Sequence, residues 1–151
     1  MKGVIVERAL TSNVLDIYAL FKEGVKENLF DYQNPTPEQA KNYYFQLLRE
    51  LSSPVNLFYI ARRGRQYLGY IHGVLALRPY EQTNHLCFVN PLFVTAKKRK
   101  LGIGKKLTDR LKEDCRKMGV SRIELLCHDK MIDYWVKNKA QKVMNLMILE
   151  A

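Results

Sequence analysis

The sequence predicts an α/β fold: a mixed central β-sheet, one strand of it splayed, flanked by helices. Three observations predict it. Short runs rich in β-branched and aromatic residues alternate with segments whose apolar residues recur every three or four positions, in the order β-α-α-β-β-β-α-β-α-β. An Asn90-Pro91 pair interrupts one strand, and a basic, glycine-containing turn follows it into a helix. At 151 residues, with 47% hydrophobic and 26% charged residues, the chain has the size and composition of one globular domain, residues 1–151, and is excluded from the disordered and collagen-like classes.

Each element has a local cause. Gly3 to Arg8 reads as a short strand. Thr11 or Ser12 can cap a helix that carries Val14, Ile17, Tyr18, Phe21, Val25 and Leu29 along one face. After the turn-rich stretch Asp31 to Pro35, Thr36-Pro37-Glu38-Gln39 supplies an N-cap, a proline at the first helical position and a capping-box glutamine. Ser52-Ser53-Pro54 ends that second helix. Strands Asn56 to Arg62 and Gln66 to Leu77 form a hairpin about Arg63-Gly64-Arg65. His85 to Thr95 is a strand expected to splay at Asn90-Pro91, because proline removes a ladder donor. Leu107, Leu111 and Cys115 define the next helix, and Gly119 suits its C-cap. Strand Arg122 to Cys127, helix Lys130 to Lys139 and strand Lys142 to Glu150 complete the order.

The turn before the helix at Leu107 carries the sharpest chemistry. Gly102 and Gly104 allow a tight turn and close approach to a ligand, and the first helical turn leaves unpaired N–H groups at a positive dipole end. Lys97, Lys98, Arg99, Lys100, Lys105 and Lys106 surround them. This is an anion cradle suited to a pyrophosphate with a further phosphate nearby. Neither Gly-x-x-x-x-Gly-Lys-Ser/Thr nor Gly-x-Gly-x-x-Gly occurs, which excludes the Walker and Rossmann loops.

Leu92-Phe93-Val94 followed by Arg99-Lys100-Leu101-Gly102-Ile103-Gly104 resembles the acyl-CoA-binding motif of the GNAT N-acetyltransferase superfamily, Arg/Gln-x-x-Gly-x-Gly/Ala after a strand. The element order resembles that fold over nearly the whole chain. The resemblance implies an acyltransferase that moves an acetyl group from acetyl-CoA to a primary amine by direct attack in a ternary complex. It implies that Phe93, Val94, Arg99, Lys100, Leu101, Gly102, Ile103, Gly104 and Lys105 bind the donor, the backbone of 99–105 at the pyrophosphate and Val94 beside the pantetheine arm. The Val94 N–H would then stabilise the developing oxyanion.

The family's next motif carries a tyrosine that often protonates the departing thiolate, and the alignment here puts Trp135 at that position with Tyr134 one residue away. Successive helical residues point about 100° apart, so the two cannot both face the thioester: either one faces it and the other packs, or both pack. Tyr134 is the candidate general acid, and His85 and Glu124 are the candidate bases, His85 having the near-neutral reference pKa. Phe30, Asp31, Tyr32 and the loop to Pro35 are the expected acceptor wall. An alternative function is a binding or regulatory module that keeps the fold and coenzyme A but has little turnover.

A formal charge of +10 favours anionic partners, and an acidic or phosphorylated acceptor suits it better than a polyamine or aminoglycoside. Nucleic-acid binding through the basic loop ranks behind both enzymatic and regulatory readings, because stacking aromatics are not interleaved with the loop. Cys87, Cys115 and Cys127 contain no Cys-x-x-Cys pair, so neither a zinc knuckle nor any other metal site is expected, and the thiols should be buried. The early charges and the lack of a long apolar run predict a cytoplasmic protein, monomer or homodimer, without membrane association.

Overall fold

The computed structural model describes residues 3–27, 35–77, 85–127 and 129–143. Five strands form one sheet in the order β1 (Ile5–Arg8), β2 (Asn56–Arg63), β3 (Gln66–Leu77), β4 (His85–Val94) and β5 (Arg122–Leu125). The first four pair antiparallel, and β5 runs parallel to β4. The mixed sheet and its flanking helices agree with the predicted class. The expected closing strand is not formed at Lys142 and Val143, and its remaining residues, 144–150, lie outside the described ones.

Strand alternation sorts the core into two layers. Leu57, Tyr59 and Ala61 of β2 point to one face and meet Ile103, Leu107 and Leu111 of α3 (Ile103–Lys117). Phe58 and Ile60 point to the other and meet Ile17 and Leu20 of α1 (Val14–Lys26) and Leu47 of α2 (Pro37–Ser52). The predicted N-terminus of α2 forms as a capping box: the Thr36 hydroxyl accepts from the Gln39 N–H at 3.2 Å, and the Gln39 side-chain oxygen accepts from the Thr36 N–H at 2.9 Å. The last predicted helix is shorter than expected, a 3-10 turn at Asp129–Met131 and then α4 (Ile132–Lys137).

Cys87 and Cys115 are buried between β4 and α3, and their mutual hydrogen bond, helped by burial, raises the Cys87 pKa. Cys127 is exposed, contrary to the expectation of a third buried thiol, because it follows the end of β5 rather than lying within it.

Candidate functional site

β4 and β5 diverge where proline enters the sheet. Parallel pairing begins at Leu86↔Arg122 and ends at Val89↔Leu125, one residue before Asn90. On the other side, β3 follows β4 through a register shift: Gly73 faces Val89, Ile71 faces Leu92, and His72 stands opposite the Asn90-Pro91 bulge. The Asn90-Pro91 peptide is cis.

Beyond the bulge the hydrogen-bonding phase of β4 fixes which backbone groups face the gap. The Thr95 N–H donates to Leu68 O at 2.9 Å, which makes Leu68 and Thr95 a hydrogen-bonded pair. Pair type alternates along an antiparallel ladder, so Gly69↔Val94 and Ile71↔Leu92 are non-hydrogen-bonded pairs. The N–H and C=O groups of Val94 and Leu92 therefore point away from β3, toward the side that β5 has left. The Val94 carbonyl accepts from Arg99 Nε at 2.9 Å.

The cradle lies next along the chain. Loop hydrogen bonding stops at the Arg99 N–H, which donates to Ala96 O at 3.3 Å, and resumes at the Lys106 N–H, which donates to Gly102 O at 3.1 Å. The amides of Lys100 to Lys105 between them have no internal acceptor among the described residues. Gly102 caps α3 at φ 74°, and Lys100 takes φ 61°, a conformation that costs a non-glycine residue energy and is held here by the turn around it. Alternating backbone twist of this kind gathers N–H groups into a concave anion nest at the positive end of a 15-residue helix.

The loop's side chains do not all face the nest. Arg99 is drawn back to the sheet: besides the Val94 carbonyl it pairs with Glu27 at 2.6 Å and lies 5.8 Å from the Phe93 ring. Lys105 pairs with Asp109, one turn along the same exposed face. Phe93 itself is buried in the α1–α2 layer, and its place in the ladder turns its backbone toward Tyr70, so its expected role at the donor has no support in its orientation. Leu101, Gly102 and Lys100 are exposed, whereas the Ile103 side chain is core and only its amide belongs to the nest.

Tyr134 reaches this loop and Trp135 does not. A Cβ placed on Gly104 would lie 2.7 Å from the Tyr134 hydroxyl and 3.7 Å from Leu92 Cδ2, so the phenol rests on the helix start beside the splay. The hydroxyl is buried without a hydrogen-bond partner. Burial raises its pKa, tempered by the neighbouring Thr108 hydroxyl, which itself donates to Gly104 O at 2.9 Å. Trp135 crosses Tyr134 edge-on at 5.1 Å and packs into the interior.

The two candidate bases are not brought to this point. His85 begins β4, nine residues and about 30 Å of extended chain from Val94, and is exposed. Glu124 stands opposite Phe88 and pairs with Arg122 at 2.7 Å. The predicted acceptor wall Phe30, Asp31 and Tyr32 lies outside the described residues.

Sequence reasoning missed two residues at the site. Glu27, at the end of α1, anchors Arg99 and could not be linked to it across 72 positions. His72 is 8% exposed, stacks on Phe58 with ring centroids 3.8 Å apart, and places Nε2 2.7 Å from Asn56 Oδ1. Burial lowers its pKa to about 4 against the opposing effect of a backbone hydrogen bond with Asn90. Only the register of β3 on β4 places it opposite the Asn-Pro interruption, so the sequence held no signal for it.

A sheet split beside a helix-start nest sets a free strand edge next to an anion-binding turn, and comparison with known proteins gives the family. The model of the acetyltransferase (GNAT) family matches residues 18–138, and the chain belongs to that family. The fold is shared with a predicted acetyltransferase from Clostridium acetobutylicum solved with acetyl-CoA, at TM-score 0.82 and 15% identity over 97% of this chain and 96% of that one. It is shared with glucosamine-6-phosphate N-acetyltransferase from Arabidopsis thaliana, at TM-score 0.73 and 13% identity over 97% of each chain. An aminoglycoside acetyltransferase from an uncultured soil metagenomic sample, in complex with sisomicin, superposes at TM-score 0.74 with 14% identity over 98% and 97% of the two chains. No curated protein matches the sequence. Among the described residues, no helix is long and apolar enough to cross a membrane, and no group of three or more His, Cys, Asp and Glu residues could hold a metal ion.

Proposed function

We propose that the protein is an acetyl-CoA-dependent N-acetyltransferase acting in the cytoplasm. The observation that carries this reading is the unbroken run of unbonded amides from Lys100 to Lys105 opening beside the Leu92 and Val94 edge. The nest suits a pyrophosphate: its amides are preorganised, Gly104 presents no side chain, and the surrounding lysines add positive potential. The outward N–H and C=O groups of Leu92 and Val94 suit the amides of a pantetheine arm, which would extend the sheet in place of β5. The donor supplies a thioester carbonyl to the attacking amine.

This chain's residues then have three tasks. Arg99 holds the Val94 carbonyl, keeping the adjoining backbone in register. The Val94 N–H, directed into the gap, is available to a developing oxyanion. Tyr134, kept protonated by burial and lacking a partner, can give its proton to a departing thiolate. With His85 distant and Glu124 paired to Arg122, proton removal from the amine falls to solvent, and the rate enhancement rests on positioning.

The acceptor is an amine on an acidic or phosphorylated molecule. A net charge of +10 raises the local concentration of such acceptors and disfavours polycations. A glucosamine phosphate therefore fits better than an aminoglycoside, although relatives of both kinds share the fold.

Acetyl-CoA at saturating concentration should raise the melting temperature and support acetylation within a panel of phosphorylated amines. Gly104→Trp should abolish both effects while the protein stays folded. The placement of His85 and Glu124 favours one competing reading, a regulatory module that binds the donor without turnover. Stabilisation by acetyl-CoA with no transfer to any amine would select it.

A further inference from the structure

On the α3 face of the sheet, α3, β5 and α4 border a half-open cavity of about 450 Å³. It is separate from the nest: none of residues 99–105, and neither Leu92, Val94 nor Tyr134, lines it. Its apolar lining includes Val89, Leu111, Val120, Ile123, Leu125 and Trp135, of which Ile123 and Leu125 are half-buried and present the most surface. Lys112, Arg116 and Lys139 also line it, with no Asp or Glu among the described lining residues. Lys112 Nζ donates to Asn138 O at 3.4 Å, tying α3 to α4, while Arg116 and Lys139 are exposed.

The shape and the charges point to one chemistry. The volume falls within the ~300–1,000 Å³ range of small-molecule sites. An apolar interior gains by covering an alkyl chain, and three cations at the edge, with no carboxylate among the described lining residues, match one anionic head group. We propose that this cavity is a second ligand site, which takes a single-chain carboxylate with its alkyl chain against Ile123, Leu125 and Trp135 and its head group on Arg116. Arginine suits that role because its planar fork meets a carboxylate with two parallel hydrogen bonds.

Trp135 is the single tryptophan of the chain and lines the cavity, so its emission reports occupancy directly. Dodecanoate, titrated below its micelle-forming concentration, should change that emission saturably. Dodecyltrimethylammonium, with the same chain and a cationic head, should not. Arg116→Glu, on an exposed position, should weaken dodecanoate binding about five- to tenfold with an unaltered far-ultraviolet circular dichroism spectrum. Gly102→Val, which obstructs the nest at an exposed position away from the residues that line the cavity, should retain wild-type dodecanoate affinity even where it loses stabilisation by acetyl-CoA, so failure of the donor reading and failure of this one are distinguishable. The proposal is overturned by an absent or unsaturable response, by an equal response to the cationic amphiphile, by unchanged affinity in Arg116→Glu, or by loss of dodecanoate binding in Gly102→Val.

Discussion

His72 should make this protein's stability depend on pH in a way one substitution removes. Its pKa is lowered to about 4 in the folded state, with burial the largest cause. In the unfolded chain a histidine titrates near pH 6.5. Between these values the unfolded state binds more protons, so stability rises with pH, is complete above the unfolded pKa and is lost as pH falls toward the folded one. The full difference of about 2.5 units corresponds to roughly 3 kcal/mol, of which about 2 kcal/mol is lost between pH 7 and pH 5. For a domain of this size that is roughly 4–8 °C in melting temperature. The assay is urea unfolding of wild type and His72→Gln at both pH values. Glutamine keeps a polar partner for Asn56 and the Asn90 backbone but does not titrate, so the variant should be less stable at pH 7 and lose less stability on acidification. An equal loss in the two proteins would refute a neutral, buried His72, and with it the account of how the bulge facing Asn90 is held.

Three further outcomes follow from the site. Tyr134→Phe removes a buried hydroxyl with no partner, so stability should stay level or rise by up to about 1 kcal/mol, while kcat falls at least tenfold without a matching change in donor KM. Chemical denaturation and steady-state kinetics on one preparation test both halves. Arg99→Ala removes the Glu27 pair and the hold on the Val94 carbonyl. Folding stability should drop by less than about 1 kcal/mol because the ion pair is partly exposed, and donor KM should rise severalfold. Gly102→Val forces a β-branched residue into positive φ, and should cost roughly 1–2 kcal/mol in denaturant unfolding and erase the thermal shift by acetyl-CoA.

What was legible early were features with local causes. Thr36-Pro37-Glu38-Gln39 announced α2 because capping involves groups three residues apart. Gly119, at φ 75°, announced the end of α3 for the same reason, whereas the helix itself begins at Ile103, inside the segment that the sequence reads as a turn. The splay at Asn90-Pro91 was readable because proline lacks an amide hydrogen wherever it stands. The hairpin of β2 and β3 about Arg63-Gly64-Arg65 was readable because its turn is local, whereas the two-sided core built on β2 came only with the packed helices.

The amino-acid order by itself thus indicated most of the elements, the family resemblance and the glycine turn before α3, since each depends on neighbours within one turn or one strand. Tertiary structure decided how those pieces face one another. It brought Tyr134 rather than Trp135 onto Gly104, drew Arg99 to Glu27, buried Phe93 away from the gap, left His85 at the far end of its strand and set His72 against the bulge. The physical reason is that burial, charge pairing and side-chain direction depend on contacts between residues tens of positions apart, and those contacts exist only after the sheet has assembled and the helices have packed on its two faces.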